Sequence, residues 1–291
     1  MEENRPLPPW AGEMPEGSFI SYNPTYKVGE YFNLYKSGSE AGMKYYFYDP
    51  TEHGYAKGKS YPLLVFLHGR SNALEGDICI NYTGAEFYAT EKYQKQLGGA
   101  YVLVPLANEK READGQVTDT WSKDYTEPLF ELINSFIKKV AEPNGGAGKK
   151  FLFGNSAGAT MVFIMATAYP AFFNALVPIG TGSIPENGVL CELDKNGVHL
   201  FLAVCKRDEF VSYKEEILPR IPDLKKMKHC YIFTPEWIYN GDKGIASINF
   251  GIEMGQHCLV NPMHCNLMFD DGTPMYAELP DGVLGWIKTV L

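Results

Sequence analysis

A serine between two glycines is the strongest candidate for chemistry in this sequence. Ser156 stands at the centre of GNSAG, residues 154–158, which fits the pattern Gly-x-Ser-x-Gly. An apolar run, residues 151–153, comes directly before it, and a stretch of small and apolar residues, 159–169, follows. Strand, sharp turn and helix in that order are typical of a nucleophile elbow, which exposes a serine hydroxyl at the carboxyl end of a strand. The alternative is that the glycines only mark a loop.

Both glycines of the pattern have a steric reason to be there. A serine on so sharp a turn is held in a strained backbone conformation. Side chains at positions 154 and 158 would collide where the strand and the helix pass closely. Because the helix begins next to the serine, the amide of Ala157 is free to donate a hydrogen bond to an oxyanion.

A second oxyanion donor is predicted in the loop His68-Gly69-Arg70-Ser71, which follows the apolar run 63–67. A glycine in such a loop lets the backbone approach the nucleophile closely, and we expect the amide of Arg70 to donate, with Ser71 as the next candidate. His68 precedes the serine in the chain, and we expect it to brace the loop by hydrogen bonding. A purely structural role for the whole loop is the alternative.

A serine nucleophile needs a base, and the base needs a carboxylate that orients it. Asp208 leaves the carboxyl end of a predicted strand, residues 198–205, where its carboxylate could accept a hydrogen bond from a histidine ring. Glu209 is the substitute candidate, and a solvated cluster of charges is the alternative interpretation.

Two of the six histidines compete for the role of base. His257 is favoured because it lies after the last predicted strand in a Gly-x-His sequence, so it can reach Ser156. His264 lies a short way further along the chain and is the competitor. His53 lies too far upstream for the order serine, acid, histidine.

The elements that must position these residues alternate between strand and helix. The predicted helices are residues 85–97, 124–140, 159–169, 212–227 and 283–290, and the helix over residues 212–227 is expected to break at Pro219 and Pro222. The predicted strands are residues 43–48, 63–67, 100–104, 151–153, 173–179, 198–205 and 229–233, and residues 183–197 are expected to be a connecting loop. This alternation predicts an α/β fold with a mostly parallel central sheet and helices on both faces, and an outer antiparallel strand at residues 43–48.

Length and composition limit the classes of protein that fit. With 291 residues, 45% of them hydrophobic, the chain suffices for one large α/β domain or two small ones. A net charge of −9 without a basic stripe argues against nucleic acid as a partner. No apolar run is long enough for a membrane span. The first residues lack the layout of a secretion signal, so the sequence predicts a cytoplasmic protein, or a secreted one whose leader has been removed.

The six cysteines are scattered, and we expect reduced, unpaired thiols. Three of them follow a histidine directly, and a zinc site could be imagined from His257-Cys258 and His264-Cys265. Their spacing matches no common zinc template, which disfavours that interpretation.

Two segments differ from the regular pattern. Residues 1–41 are rich in Pro, Gly, Ser and aromatic residues, and we expect an ordered N-terminal arm packed on a main domain, residues 42–291. The segment near residues 234–256 is long for a connection within a compact domain. We interpret it as an insertion close to the site that could shape a substrate pocket, or else as a packed surface excursion.

These motifs together resemble the α/β-hydrolase superfamily. The resemblance is carried by the apolar strand and His68-Gly69 in YPLLVFLHG, residues 61–69, by the elbow at 154–158, and by the chain order Ser156, Asp208, His257. Within the superfamily the sequence is similar to carbohydrate-esterase and feruloyl-esterase-like enzymes, and to secreted peptidases built the same way. The arm and the insertion lie outside the resemblance.

The resemblance implies a serine carboxylic-ester hydrolase that acts on small or sugar-linked esters, such as acetyl or hydroxycinnamoyl esters. Such an enzyme requires no metal or organic cofactor, and self-association into a homo-oligomer is left open. Trp121 and Tyr125 lie beyond a strand's carboxyl end and could stack on a sugar or an aromatic acyl group, although such aromatics are more often core residues. The alternatives are a serine peptidase of the same fold and a non-catalytic relative that only binds.

Overall fold

A computed structural model describes residues 5–291, which contain thirteen strands and eight α-helices. The strands are β1 (Ile20–Tyr22), β2 (Lys36–Glu40), β3 (Met43–Tyr48), β4 (Tyr61–Leu67), β5 (Tyr101–Pro105), β6 (Lys110–Arg111), β7 (Val117–Thr118), β8 (Ala147–Asn155), β9 (Ala175–Ile179), β10 (His199–Ala203), β11 (Cys230–Phe233), β12 (Ile245–Asn249) and β13 (Glu253–Met254). The α-helices are α1 (Cys79–Tyr82), α2 (Glu91–Leu97), α3 (Thr126–Phe136), α4 (Ala157–Ala168), α5 (Asn187–Lys195), α6 (Ile221–Leu224), α7 (Val260–His264) and α8 (Gly282–Val290).

Eight strands form the central sheet in the order β11-β10-β9-β8-β4-β5-β3-β2. The pairs from β11 to β5 are parallel, and β3 and β2 add an antiparallel edge. The carboxyl ends of β4, β8, β9 and β10 therefore meet at one edge of the sheet, where parallel α/β sheets place their ligand sites. The mostly parallel sheet with an antiparallel outer strand at residues 43–48 confirms the prediction.

The central strands are apolar on both faces, since alternate residues pack into two different layers of core. In β4, Leu64 and Phe66 pack with residues of α2 and α8 on one face. Leu63, Val65 and Leu67 pack with residues of α3, α4 and α5 on the other face. Helices thus cover both faces of the sheet, as predicted.

The prediction of a loop over residues 183–197 was wrong, because α5 lies there. Only Leu190 and Leu193 of this helix are buried, and they are spaced three residues apart on its inner face. With so few apolar positions, and with Gly188 near its start, the helical period is hard to detect in the sequence. The predicted helical stretch over residues 212–227 consists of short turns ending in α6. It is interrupted near Pro219 and Pro222, as predicted, since both prolines lack the amide that a continuous helix requires.

The central sheet begins within the predicted arm, since β2 pairs with β3 and is part of the sheet. Its sequence, KSGSE, is too polar to be recognised as a strand. Earlier in the arm, β1 pairs with β12, and β12 pairs with β13, so the arm and the insertion share a small three-stranded sheet. The buried carboxylate of Glu86 accepts hydrogen bonds from the amides of Gly29 and Tyr31 and holds the arm against the rest of the chain.

Across residues 5–291, no helix combines the length and the hydrophobicity needed to cross a bilayer.

Candidate active site

The strand β8 and the helix α4 meet at Ser156 in a sharp turn. Ser156 has φ 54° and ψ −114°, a backbone conformation that residues other than glycine rarely adopt. A Cβ at Gly154 would collide with the backbone of Gly158, and a Cβ at Gly158 would collide with the carbonyl oxygens of Leu67 and His68. The glycines therefore allow the helix to lie directly on the ends of β8 and β4, which leaves the serine side chain at the sheet edge.

The structure brings the three residues Ser156, His257 and Asp208 into one hydrogen-bonded chain. The Ser156 Oγ lies 2.9 Å from His257 Nε2, and His257 Nδ1 lies 2.8 and 2.9 Å from the two Asp208 carboxylate oxygens. The Asp208 side chain is 1% exposed and the His257 side chain 10%. Because the carboxylate accepts from Nδ1–H, Nε2 is left unprotonated and can accept the serine proton. This arrangement can activate the hydroxyl as a nucleophile.

Asp208 and His257 are held in place by further contacts. Asp208 Oδ1 also accepts hydrogen bonds from the amides of Phe210 and Val211, at 2.8 and 2.9 Å, which fixes the carboxylate. The Phe210 ring packs edge-on against the imidazole, with the ring centroids 4.9 Å apart. Gly180, which follows β9, lies against the imidazole of His257. A Cβ at Gly180 would lie 3.3 Å from His257 Cε1.

The amides of Ala157 and Arg70 are available as oxyanion donors, because neither has an acceptor within the described part of the chain. The amide of Ser71, the substitute candidate, is already engaged, since it donates to Glu109 Oε1 at 2.9 Å. The second oxygen of Glu109 accepts from the amide of Ala73 at 3.1 Å, so this carboxylate fixes the loop that carries Arg70.

His68 braces the same loop. Its Nε2 accepts from the amide of Ala107 at 3.0 Å, and its Nδ1–H donates to the carbonyl of Gly69 at 2.7 Å. The ring is completely buried, and burial lowers the pKa of His68, so it is neutral. The structure thus gives His68 the bracing contacts that the sequence suggested.

Trp121 and Tyr125 contact other parts of the protein. The Trp121 indole donates to the carbonyl of His68 at 3.0 Å and is itself buried. The Tyr125 hydroxyl donates to the carbonyl of Asp119 at 2.7 Å and accepts from the amide of Asn108 at 2.8 Å. Both side chains support the loops after β4 and β5, and their contact with a substrate stays a prediction that the cavity lining does not support.

His264, the competing base, lies in a different environment. Its Nε2 accepts from the amide of Phe87 at 2.8 Å, and its Nδ1 lies 3.3 Å from the hydroxyl of Tyr26. Burial lowers the pKa of His264 to about 3, so the ring stays neutral at ordinary pH. Its hydrogen bond to a backbone amide occupies the nitrogen that a base would use.

Glu209, the substitute acid, contacts the backbone of the histidine loop instead of the imidazole. Its two oxygens accept from the amides of Gly255, Gln256 and His257, and from the indole of Trp10. In the sequence, the neighbouring residues Asp208 and Glu209 after β10 indicated a functional site. The sequence did not show that their carboxylates have different partners.

A cavity of about 920 Å³ opens over Ser156 and His257. Besides these two residues its lining consists of Asn23, Pro24, Val28, Gly69, Arg70, Ser71, Asn72, Asn81, Tyr82, Gln116, Val117, Asn155, Phe210, Ile248, Phe250, Met254, Cys258, Val260 and Asn261. The insertion near residues 234–256 contributes Ile248, Phe250 and Met254 to the walls, in line with the expectation that it lies close to the site. The arm and the β6–β7 hairpin also contribute, which the sequence did not indicate. Among these lining residues, Arg70 is the one with a permanent charge.

The cysteines and histidines outside the Ser156 site do not form a metal centre in the described part of the chain, where no group of three potential ligands converges. All six cysteines are free thiols. Burial raises the pKa of Cys258, which lines the cavity, so this thiol is protonated and a poor nucleophile.

No protein-family model matches the sequence, and a search of curated proteins found no match. Among solved structures, a thermostable esterase matches with a TM-score of 0.58 at 16% identity, covering 80% of this chain and 60% of that one. The feruloyl esterase module from Clostridium thermocellum complexed with sinapinate matches with a TM-score of 0.47 at 13% identity, covering 75% and 87%. Est1E from Butyrivibrio proteoclasticus matches with a TM-score of 0.44 at 15% identity, covering 69% and 88%.

At such low identity the likeness concerns the fold. This chain spans 60% of the length of the thermostable esterase, so the two proteins also differ outside the shared region.

Proposed function

We propose that this chain, which has the α/β-hydrolase fold, is a serine hydrolase that cleaves carboxylic esters. The observation that carries the proposal is the hydrogen-bonded chain from Ser156 through His257 to Asp208, at the floor of an open cavity. The backbone amides of Ala157 and Arg70 supply donors for the oxyanion beside it.

The reaction proceeds in two acyl-transfer steps. The Ser156 oxygen attacks the ester carbonyl while His257 Nε2 takes the serine proton, and Asp208 stabilises the imidazolium that forms. The amides of Ala157 and Arg70 hold the oxyanion, and each such donor is typically worth ~10²–10³ in rate. The imidazolium then gives its proton to the departing alcohol, which leaves an acyl-serine.

Water completes the cycle. His257 takes a proton from a water molecule, whose oxygen attacks the acyl-serine carbonyl. The carboxylic acid leaves, and the proton returns to the Ser156 oxygen. The groups that this scheme needs are side chains and backbone amides of the chain itself.

The composition of the cavity favours an uncharged ester of small or sugar-linked type, such as an acetyl or hydroxycinnamoyl ester. Apolar side chains, among them Val28, Phe210 and Phe250, are available to an acyl group. Neutral carboxamides can hydrogen-bond to hydroxyl groups of an alcohol or sugar, and they come from Asn23, Asn72, Asn155, Asn261 and Gln116. The described lining carries no carboxylate that would pair with the ammonium group of a peptide substrate.

A fluorophosphonate probe tests the nucleophile. The probe should label the wild-type protein at Ser156 and leave the Ser156→Ala variant unlabelled. Absence of labelling in the wild type, or persistent labelling of the variant, would remove the support for a serine hydrolase and favour a relative that only binds.

A substrate panel tests the reaction class. We expect turnover of para-nitrophenyl acetate, and the comparison of acetyl, butyryl and feruloyl esters ranks the acyl groups. Turnover of peptide anilides at a rate similar to the esters would instead identify a peptidase, because an amide demands more help for its leaving group than an ester.

A further inference from the structure

We infer that Glu209 is a positioning residue that holds the histidine loop in place and connects the N-terminal arm to His257. This inference rests on the proposed function for its effect on catalysis. The contacts on which it is based are independent of that function.

Glu209 receives hydrogen bonds from three successive backbone amides. The amides of Gly255, Gln256 and His257 lie 2.9, 3.0 and 2.7 Å from its carboxylate oxygens. Successive N–H groups that converge in this way form a concave anion-binding site. Here the anion is the carboxylate of Glu209. The loop after β10, which also carries Asp208, therefore fixes the backbone of the loop that carries His257.

The arm provides the fourth donor. The indole of Trp10 lies 2.7 Å from Glu209 Oε1, and the Trp10 ring is 4% exposed and packs edge-on against Trp237. Next to it, the guanidinium of Arg207 pairs with Glu13 of the arm. The arm thus contacts the acid loop at two neighbouring positions, both adjacent to the catalytic pair Asp208 and His257.

The carboxylate of Glu209 is suited to positioning because, within residues 5–291, its four partners are N–H donors that have no other acceptor. Arg207, its neighbour in sequence, pairs with Glu13 and Glu236. Replacing the Glu209 carboxylate with a neutral amide would weaken these hydrogen bonds and remove one of the two acceptor oxygens, and the imidazole would shift relative to Ser156. A displacement of 1 Å in a catalytic geometry can cost about 10²-fold in rate.

The test compares Glu209→Gln with a matched control. Glutamine keeps the length of the side chain but replaces one acceptor oxygen with a donor group. The control is Glu236→Gln, which removes a carboxylate that pairs with Lys206 and Arg207 on the same side of the site. We expect Glu209→Gln to lower kcat by about 10- to 100-fold with KM within about twofold of wild type. Glu236→Gln should change neither kcat nor KM by more than about twofold.

Trp10→Phe provides a milder second variant, since it keeps an aromatic ring against Trp237 and removes one N–H donor. We expect kcat to fall about two- to fivefold. If Glu209→Gln does not fold, this variant and the exchange measurement below decide the question. If Glu209→Gln folds and its kcat is within twofold of wild type, the inference is overturned. If only Trp10→Phe folds, a kcat within twofold of wild type in that variant overturns it.

Hydrogen–deuterium exchange gives a readout that needs no turnover. The amides of residues 255–257 should exchange faster in Glu209→Gln, and also in Trp10→Phe, than in Glu236→Gln. Equal exchange in all three variants would overturn the positioning role even if the wild-type enzyme is active. If the wild type fails to react with the fluorophosphonate, the proposed function fails, and the exchange rates alone support or reject the role of Glu209.

Discussion

Two histidines, seven positions apart and each followed by a cysteine, have contrasting surroundings in this molecule. His257 lines the cavity and lies between the Ser156 hydroxyl and the Asp208 carboxylate. His264 ends α7, is completely enclosed, and accepts a hydrogen bond from a backbone amide. The two rings share the dipeptide His-Cys, and their partners differ.

The comparison shows which contacts would suit a histidine to act as a base. A carboxylate on one ring nitrogen fixes the tautomer and stabilises the charged ring, and a hydroxyl on the other nitrogen supplies the proton. His264 has no carboxylate partner in the described part of the chain, since its ring nitrogens contact the amide of Phe87 and the hydroxyl of Tyr26. Burial lowers the pKa of His264 to about 3. A ring in that setting serves as a rigid acceptor within the core.

The largest expected effect separates the two rings directly. His257→Ala should lower kcat/KM about 10⁴- to 10⁶-fold, because the serine loses the group that takes its proton. His264→Ala should keep kcat/KM within about threefold and lower the melting temperature, since it leaves the amide of Phe87 without its acceptor. Ester hydrolysis and thermal unfolding of both variants test this contrast, and the reverse pattern would make His264 the base.

The next effect concerns the carboxylate partner. Asp208→Asn keeps the shape of the side chain but can donate to Nδ1, which favours the tautomer with a proton on Nε2. Loss of the correct tautomer and of the stabilising charge typically costs about 10⁴-fold in kcat. Steady-state kinetics with para-nitrophenyl acetate measure this loss. A variant with more than a tenth of the wild-type kcat would show that the carboxylate does not define the base.

The third prediction concerns stability in acid. The pKa of His264 is about 3 in the folded protein, below its value near 6.5 in an unfolded chain, so the unfolded state binds the proton first. The contribution of the neutral His264 ring to the unfolding free energy is fully present above pH 6.5 and is lost as the pH falls toward 3. Between pH 7 and pH 4 the loss is on the order of 3 kcal/mol of unfolding free energy.

The variant His264→Gln can still accept from the amide of Phe87 but does not titrate. Its denaturant midpoint should therefore fall less than that of the wild type between pH 7 and pH 4. His68 is also buried with a lowered pKa, but it is present in both proteins and cancels in the difference. Parallel pH curves for the two proteins would contradict the role given to the buried ring.

The smallest effect uses a pair of glycines, one beside each histidine. Gly180 has φ 68° and a Cβ there would crowd the His257 ring, whereas Gly84 has φ 80° and a Cβ there would crowd Val260, near His264. Both alanine variants should lose about 1–2 kcal/mol from the left-handed backbone. Only Gly180→Ala should also lower kcat, by about three- to tenfold, which kinetics at a temperature well below both unfolding midpoints can show. An equal loss of kcat in both variants would mean that backbone strain alone is responsible.

The sequence predicts those parts of the fold and the site that depend on short stretches of chain. The apolar runs of β4, β8 and β10 define the sheet, and the residues that leave their carboxyl ends must meet at one edge. The glycines at 154 and 158 identify the turn that carries Ser156. Such features follow from local periodicity and from the order of the elements.

Features that depend on contacts between distant segments were not predictable in the same way. The helix α5 and the strand β2 carry too few apolar residues to show a period. The hydrogen bond from Trp10 to Glu209 joins residues 199 positions apart in the chain, and no local pattern encodes it. For the same reason the sequence places the insertion near the site but does not reveal that the arm lines the cavity beside it.

The pairing of β1 with β12 has a consequence for biosynthesis. Residues 20–22 leave the ribosome well before their sheet partners, residues 245–247, are translated. The serine turn can be complete on a nascent chain while one wall above it is still missing. Translation that stops before β12 therefore leaves Ser156 without that wall and also without His257.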